Sequence, residues 1–326
     1  MTAPAALTIA LANFDRHMPF FLGWLPRAED FYLKALDVGM SPPGRDGGDR
    51  HGRMLRDGEF DVAEVSLASY ILAKSRGAPF TAVPVFPRRL FSANHIYVGP
   101  HSGIHRPADL RGRRVAIRGW QVSLSVLAKG DLKTRHGVDW QDIDWVVQGP
   151  EQIAFKDPRV RVQPMPAGAS GAQLLMTSEV DAFIDPKPPK EVLEGQGGVR
   201  NLFADQRGEC LAYFQERQCF PAMHVLAIRT ETAERFPQLP AYLIEAWGDA
   251  QLKTSRAYDD YAYTAMPFGR QAWEQSRRDF GDELFAAGLC VNRSNLEWFI
   301  DYLVDQLLLP APIAVEQLFH PSVLNT

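Results

Sequence analysis

The sequence predicts an α/β protein with two similar lobes, because one short pattern occurs twice. Residues 57–66 and 177–185 each follow an apolar helical pattern, contain Glu-x-Asp, and end a short apolar run in polar residues. This order is typical of a helix that leads into a buried parallel strand whose carboxyl end opens into a loop. Ligands of open α/β sheets bind outside the carboxyl ends of strands. We therefore expect a ligand cleft between the lobes, lined by Glu64 and Ser66 on one side and Asp185 on the other.

A second pair of segments supports the two lobes. Residues 7–16 and 114–121 are apolar strands that end in a polar loop with an Arg and lead into a helical segment. Such look-alikes also arise by chance in α/β proteins, but two pairs in the same order favour two lobes. We predict lobe 1 from residues 1–100 and 225–326, lobe 2 from residues 101–224, and a helical C-terminal region.

The remaining elements follow from periodicity and from chain breakers. Ser66 or Ser69 is the expected N-cap of a helix, and the breaker-rich stretch 42–49 predicts a loop. Apolar residues at three- and four-residue spacing predict packing helices over 239–262 and 295–309, and the whole remainder after residue 228 reads as helical. The other predicted helices are 51–56, 66–73, 122–135 and 168–176, and the other predicted strands are 36–39, 80–86, 94–99, 143–147 and 225–228.

Composition excludes several classes of function. The chain has 326 residues, with 35 Lys and Arg against 39 Asp and Glu, a net charge of −4. That balance gives no electrostatic case for nucleic acid or an anionic membrane surface. Cys210, Cys219 and Cys290 form no CxxC pair, which favours reduced thiols. The start lacks a secretory pattern and no segment has the length of a membrane span, so we expect a cytoplasmic protein.

Several stretches, taken together, resemble the 4,5-dihydroxyphthalate decarboxylase family, relatives of the type 2 periplasmic binding proteins. They are residues 14–16, 59–70, 84–89, 96–98, 107–115, 137–138 with Trp145, 220–224 and 318–321. The resemblance implies a type 2 periplasmic-binding-protein-like fold with the ligand in the cleft. It also implies cofactor-independent decarboxylation, without a metal, of a hydroxylated, phthalate-like aromatic acid, as in aromatic acid degradation.

The chain departs from the family pattern at three places. The family has a Val-Pro-Glu-Tyr-Gln-like loop where residues 117–121 read Ile-Arg-Gly-Trp-Gln, and an aromatic residue and an Arg before a Gly where this chain has residues 127–130. The loop 42–49 replaces a smoother segment. Loss of the loop carboxylate and gain of Arg118 change the charge of the site. These departures leave two alternatives open: the substrate is a related acid, or the chemistry is altered.

Decarboxylation needs a cation for the carboxylate and an acid that protonates the ring carbon. Arg16 and Arg118 follow strands at positions that match in the two lobes, and either Arg88 or Arg89 is a further candidate for bidentate pairing. Each could instead be an ordinary exposed loop arginine. His224 is the leading proton donor, since its ordinary pKa suits proton transfer near neutrality; the alternative is a hinge histidine bonded to backbone.

The other candidates each have a structural alternative. Glu64 could act as an acid or accept a phenolic hydrogen, or it could be the partner of a buried Arg. Ser66 and Ser69 could hold hydroxyl groups or cap a helix. Trp120 could stack on an aromatic ring or pack the lobe. Three further residues are predicted to bind substrate: His95, Gln121 and Asp185.

The favoured function is a cytoplasmic decarboxylase in which arginines hold carboxylate and His224 delivers the proton as the lobes close. Its partner would be a small aromatic carboxylate, with no nucleic acid or membrane, and a homo-oligomer is left open. The rivals are a small-acid receptor of the same fold without chemistry, as in transporter substrate-binding proteins, and another small-acid lyase resembling the menaquinone-pathway enzymes. Fold alone does not separate them.

Overall fold

The computed structural model describes residues 3–39 and 48–326. The chain divides into two compact units. The first comprises Met1–Arg89, His224–Leu296 and Ile313–Thr326, and the second comprises Leu90–Met223 and Glu297–Pro312. Residues 42–47 of the predicted breaker-rich loop lie outside the described residues. The predicted ligand cleft between the lobes stays a prediction.

Each unit is built around one β-sheet. The strands are β1 (Ala5–Leu11), β2 (Phe31–Asp37), β3 (Val62–Ser66), β4 (Phe80–Val83), β5 (Ile96–Val98), β6 (Arg114–Ile117), β7 (Asp144–Val147), β8 (Val162–Pro164), β9 (Ala182–Ile184), β10 (Arg200–Asn201) and β11 (His224–Arg229).

Helices connect and cover these strands. They are α1 (Met18–Phe21), α2 (Arg50–Leu55), α3 (Leu67–Ser75), α4 (Ser123–His136), α5 (Gly171–Met176), α6 (Lys190–Leu193), α7 (Gln206–Arg217), α8 (Thr230–Arg235), α9 (Leu239–Ala257), α10 (Gly269–Phe280) and α11 (Leu289–Asp305). Short 3-10 helices cover Asp15–His17, Ser92–His95, Pro107–Leu110, Trp140–Asp142, Gln196–Gly198, Val315–Leu318 and Pro321–Val323.

The two sheets share one strand arrangement. The order is β2-β1-β3-β11-β4 in the first unit and β10-β5-β9-β6-β7-β8 in the second. In each sheet one strand, β1 or β6, lies between two parallel neighbours. Beyond one of these neighbours lies an antiparallel strand: β11 beside β3, and β5 beside β9. The strand order reverses at β1 and β6, which is where open α/β sheets bind ligands.

The repeated Glu-x-Asp pattern has a structural cause. Asp61 accepts a hydrogen bond from the backbone N–H of Thr8 at 2.8 Å, and Asp181 accepts one from the N–H of Arg114 at 3.0 Å. Each aspartate therefore secures the first residues of the strand beside it. This shared register makes Ile9 correspond to Val115, so Arg118 corresponds to Ala12 and not to Arg16 as the sequence suggested.

Buried apolar faces hold each sheet to its helices. In the second unit, α5 packs on β6 and β9, and a Cβ on Gly171 would come 2.4 Å from the Phe183 ring, so only glycine permits this approach. In the first unit, the buried Trp247 of α9 contacts the rings of His17 and Phe20. Over the described residues, no helix combines the length and the apolar character needed to cross a bilayer.

Most predicted elements are present, with shifted ends. The predicted strand at 36–39 belongs to the earlier β2, α7 was not predicted, and the C-terminal region is helical as expected. The predicted division assigned both residues 94–99 and the whole of residues 225–326 to lobe 1. The structure divides the chain at Arg89 instead, because β5 pairs with β9, and it gives Glu297–Pro312 to the second unit.

Candidate active site

Two predicted site residues, Glu64 and His224, lie side by side in the first unit. On the antiparallel pair β3 and β11, His224 lies opposite Ser66. Glu64 precedes Ser66 by two residues, so all three side chains share one face of the sheet. Glu64 is fully buried and His224 is 8% exposed. The imidazole Nδ1 lies 2.6 Å from Glu64 Oε1, a short charge-assisted hydrogen bond.

The second oxygen of Glu64 is also fully engaged. Oε2 accepts a hydrogen bond from the backbone N–H of Ala12 at 3.2 Å and lies 3.0 Å from the Arg50 guanidinium. Arg50 is buried at the start of α2, donates to the Glu64 carbonyl at 2.7 Å, and also donates to the carbonyl of Val38. Glu64 is therefore the partner of a buried Arg, which was the structural alternative offered for it. Its oxygens are committed to protein donors rather than to a phenolic hydrogen.

Electrostatics fix the protonation states of this pair. Burial raises the pKa of Glu64, but Arg50 and then His224 outweigh burial and hold that pKa well below its usual range. Burial lowers the pKa of His224 to about 4, although the Glu64 hydrogen bond opposes the shift. At neutral pH Glu64 is thus ionised and His224 is a neutral imidazole. Because a carboxylate can only accept, Nδ1 carries the proton and Nε2 is left for another partner.

Two buried histidines that the sequence did not single out pack nearby. The His51 ring stands perpendicular to that of His224, with centroids 4.8 Å apart, and burial lowers the pKa of His51 well below normal. His17 Nδ1 lies 2.6 Å from the Ala12 carbonyl, and burial lowers the pKa of His17 to about 4. Arg50 was missed as well. An Arg-His pair at the start of a helix that precedes a buried Glu-bearing strand is a signal that could have found Arg50 and His51.

Arg88 supplies positive charge beside His224, and Arg16 lies near both Arg88 and Glu64. Arg16 Nε donates to the Pro87 carbonyl at 2.6 Å, and its guanidinium lies 4.3 Å over the ring of Phe14. The Arg88 guanidinium lies 6.0 Å from the centre of the same ring. Burial lowers the pKa of Arg16 and of His224, and the charge of Arg88 adds to the lowering of both. Two cations around one aromatic ring, beside a buried imidazole, form a site suited to an aromatic acid.

Arg89, the alternative to Arg88, lies elsewhere in the first unit. Its side chain is 5% exposed and donates to Asn292 Oδ1 at 2.6 Å and to the Ala286 carbonyl at 3.3 Å. Arg88 is therefore the arginine near His224. Ser66 caps α3, since its hydroxyl accepts from the Ser69 N–H at 3.5 Å, and both serines are buried. Capping was the alternative given for these residues.

The second unit brings together a separate set of predicted residues. Arg118 forms a two-point ion pair with Asp185, with N–O distances of 3.2 and 3.4 Å, and Asp185 also accepts from the Lys187 N–H at 2.6 Å. His95 Nδ1 lies 3.1 Å from the Asp185 carbonyl. His95 thus belongs to the second unit, because β5 does, and not to the exit strand of the first.

Trp120 and Gln121 are committed to packing and backbone contacts. Trp120 is 2% exposed, meets the edges of Trp140 and Trp145, and holds the buried Lys129 ammonium 3.0 Å from its ring centre. The amide side chain of Gln121 bonds both backbone groups of Ile153, at 2.6 and 3.0 Å. In this arrangement Trp120 packs the core of its unit, which was the alternative to ring stacking. Among the described residues, no cluster of three His, Cys, Asp or Glu side chains could hold a metal ion.

These features define the class of protein, a type 2 periplasmic-binding-protein-like α/β protein. The aliphatic sulphonate binding protein SsuA from Escherichia coli superposes with a TM-score of 0.59 at 17% identity, over 99% of both chains. A family model described as NMT1/THI5 like matches residues 26–187.

Sequence relatives identify the family. A 4,5-dihydroxyphthalate decarboxylase of Comamonas testosteroni is 30% identical over 335 residues, which covers 98% of each chain. A protein of the same name from Pseudomonas putida is 32% identical over 171 residues, 50% of this chain and 66% of its own. The chain belongs to the 4,5-dihydroxyphthalate decarboxylase family, as the sequence resemblance predicted.

Proposed function

We propose that this protein is a carboxy-lyase that decarboxylates a hydroxylated, phthalate-like aromatic acid without a cofactor. The observation that carries the proposal is the buried Arg50–Glu64–His224 network beside Arg16 and Arg88. Family membership supports it, because both sequence relatives are named for this activity. A receptor needs to hold an acid, but it has no use for an imidazole that a buried, ionised carboxylate holds in one orientation.

In the proposed mechanism, the arginines select the substrate. Arg16 and Arg88 pair with its carboxylate groups through their planar forks. Arg88 and Arg50 are the cations that hold the His224 pKa down in the free protein, in addition to burial. A bound anion neutralises part of this charge, so the pKa of His224 rises on binding. Ionised Glu64 then stabilises the imidazolium and holds its ring in one orientation.

The chemical step transfers one proton. His224 Nε2 donates its proton to the ring carbon that carries the leaving carboxylate, and the substrate hydroxyl groups supply electron density to that ring. The C–C bond to the carboxylate then breaks, its electron pair restores the aromatic ring, and carbon dioxide leaves. His224 regains its proton from solvent. A positioned general acid contributes roughly 10² to 10⁴ in rate.

The test is carbon dioxide release from hydroxylated and plain aromatic mono- and dicarboxylates. We expect release from a hydroxylated dicarboxylate, and a loss of 10²-fold or more in kcat for His224→Gln. Arg88→Ala should raise KM by more than Arg89→Ala, because Arg89 is bonded to Asn292 and to backbone. No gas from any acid that binds would overturn the proposal, and wild-type turnover by His224→Gln would remove His224 from the mechanism.

A non-catalytic acid receptor is the second candidate, favoured by the fold it shares with a sulphonate binding protein. Binding of an aromatic acid without gas release or any other product would support it. Appearance of a different product from the same acid would instead point to another small-acid lyase. A cytoplasmic location and homo-oligomeric assembly remain predictions. Cell fractionation tests the location, and sedimentation of the purified protein tests the assembly.

A further inference from the structure

A cavity of about 270 Å³ lies within the second unit, where α4, α7 and α11 meet. α11 supplies Trp298, Asp301 and Tyr302 to its wall, α7 supplies Arg217, and α4 supplies Thr134. Pockets for small molecules typically have volumes of about 300–1,000 Å³, so this cavity suits a ligand at the small end of that range. It shares no residue with the candidate active site of the first unit.

Two donors of the residues that line this cavity have no hydrogen-bond acceptor among the described residues. They are Nε of Arg217 and the indole Nε1 of Trp298, and both atoms are buried. Glu216 Oε1 lies 3.3 Å from Arg217 Nε in an ion pair, but it is not aligned to accept a hydrogen bond. A buried donor without an acceptor is destabilising. Two such donors at one cavity therefore indicate a ligand with acceptor oxygens.

Contacts with its neighbours hold Arg217 beside the cavity. Its guanidinium lies 5.6 Å from the centre of the Trp298 ring, and Nη2 donates to Thr134 Oγ1 at 3.4 Å. Thr134 Oγ1 also lies 2.9 Å from the Tyr302 hydroxyl, and the centres of the Trp298 and Tyr302 rings are 5.3 Å apart. A cation fixed against aromatic rings suits a carboxylate that is attached to an apolar group.

Asp301 places an unpaired carboxylate at the same cavity. It follows Trp298 by three residues on α11, is exposed, and has no hydrogen-bond or ion-pair partner in the part of the chain that the structure describes. The other two charged side chains of the wall are already paired, since Lys133 lies 3.0 Å from Asp139 and also bonds Asp305. The cavity thus offers one cation with an unused donor and one carboxylate without a counter-charge.

This distribution of charge favours a ligand that carries both charges. A ligand carboxylate can accept from Arg217, and a ligand ammonium group can pair with Asp301. A simple monocarboxylate would bring its charge close to Asp301 without compensation, and a simple amine would bring its charge close to Arg217. Trp298 and Tyr302 offer aromatic surface to an apolar side chain.

We propose that this cavity binds a free amino acid with an apolar or aromatic side chain, with its carboxylate on Arg217 and its ammonium group on Asp301. Binding there involves the second unit alone and does not depend on decarboxylation. Because a ligand that binds only the folded protein stabilises it, the same amino acid should also raise the temperature of thermal unfolding.

The experiment titrates protein labelled with ¹⁵N-tryptophan with L-phenylalanine and, separately, with L-leucine. It follows the indole N–H resonance of Trp298, which is assigned by its loss in Trp298→Phe. We expect at least one of the two amino acids to shift this resonance in a saturable manner. For phenylalanine, two analogues should bind at least tenfold more weakly: 3-phenylpropionate, which lacks the ammonium group, and phenethylamine, which lacks the carboxylate.

Two variants test the two charges of the cavity separately. Arg217→Gln should weaken amino-acid binding at least tenfold, and Arg217→Lys, which keeps the charge, should restore part of the affinity. Asp301→Asn should also weaken amino-acid binding at least tenfold, but it should not weaken binding of 3-phenylpropionate. Because Asp301 is exposed, this variant keeps the test available if Arg217→Gln does not fold. Glu297→Gln, which alters another exposed acid of α11, is the matched control and should bind as wild type.

Three results would overturn the proposal. The first is a Trp298 indole resonance that neither amino acid moves. The second is equal affinity for phenylalanine and 3-phenylpropionate, and the third is wild-type affinity in both Arg217→Gln and Asp301→Asn. Because no turnover is measured, these outcomes are independent of whether the protein releases carbon dioxide.

Discussion

The buried pair Arg50–Glu64 makes a quantitative prediction about stability. Glu64→Gln removes the carboxylate that lies 3.0 Å from the buried Arg50 guanidinium, which loses its ion-pair partner and keeps the weaker attraction of Asp37. Breaking a buried ion pair from one side costs about 3–5 kcal/mol. A domain has only about 5–15 kcal/mol of stability, so the variant should be marginal. Arg50→Met should lower stability by a similar amount. It removes one donor each from the buried Glu64 carboxylate and from the backbone carbonyls of Val38 and Glu64.

The double variant Glu64→Gln/Arg50→Met isolates the interaction energy between the two side chains from their interactions with other groups. It removes both charges, so its loss should be smaller than the summed losses of the single variants by at least about 2 kcal/mol. The assay is urea unfolding at pH 7.5, with m-values compared to confirm that unfolding stays cooperative. Losses that add within about 0.5 kcal/mol would refute the buried ion pair.

An exposed pair on the same unit provides the control. Glu59 and Arg53 approach to 2.5 Å, but their side chains are 44% and 24% exposed. Surface pairs of this kind contribute about 0–1 kcal/mol. Glu59→Gln should therefore change stability by less than about 1 kcal/mol, and a loss as large as that of Glu64→Gln would show that burial is not what matters.

Three further predictions concern single residues. Burial lowers the pKa of His17 to about 4, so its stabilising contribution is complete above the ordinary value of about 6.5 and is lost as the pH falls toward 4. Between pH 8 and pH 5, the free energy of unfolding of wild type should fall by about 2 kcal/mol more than that of His17→Asn, as measured by urea unfolding. An equal fall in the two proteins would contradict this. Groups that titrate in both proteins, such as Asp131 with its pKa raised by burial to about 7, cancel in the comparison. Ser66→Ala should cost about 1 kcal/mol through loss of the α3 cap, and an unchanged urea midpoint would argue against capping. Gly130→Ala would place a Cβ 2.1 Å from the Tyr302 ring, so thermal unfolding should report a loss of about 1–3 kcal/mol, whereas a gain, as helix propensity alone predicts, would refute the close contact.

The two-lobed fold could be predicted because its signals are local. A buried parallel strand needs a short apolar run. The aspartate before it, which bonds the adjacent strand, appears in the sequence as a repeated Glu-x-Asp pattern. The strand that His224 opens could be predicted for the same reason, whereas the catalytic role of His224 stays a prediction. Family resemblance then supplied the class of reaction, which no local pattern contains.

The composition of the site could not be predicted in full, because burial is a property of tertiary structure. Arg50 lies at the start of an ordinary-looking helix, and only the packing of β3 against α2 makes it the partner of Glu64. The boundary error has a related origin. β5 follows β4 in the chain, yet it pairs with β9, so adjacency in sequence assigned His95 to the wrong unit.

The position of β11 in the first sheet has a consequence for protein synthesis. Its pairing with β3 joins residues as much as 166 positions apart, as in the pair Val62 and Ile228. At roughly 5–20 residues per second, a ribosome needs about 8–30 s to add the intervening chain. During that interval β3 has an open edge on the side that β11 later covers, and such an edge invites pairing with other chains. The growing polypeptide is thus open to such pairing during its synthesis, and the proposed active site is assembled only after about two-thirds of the chain has been made.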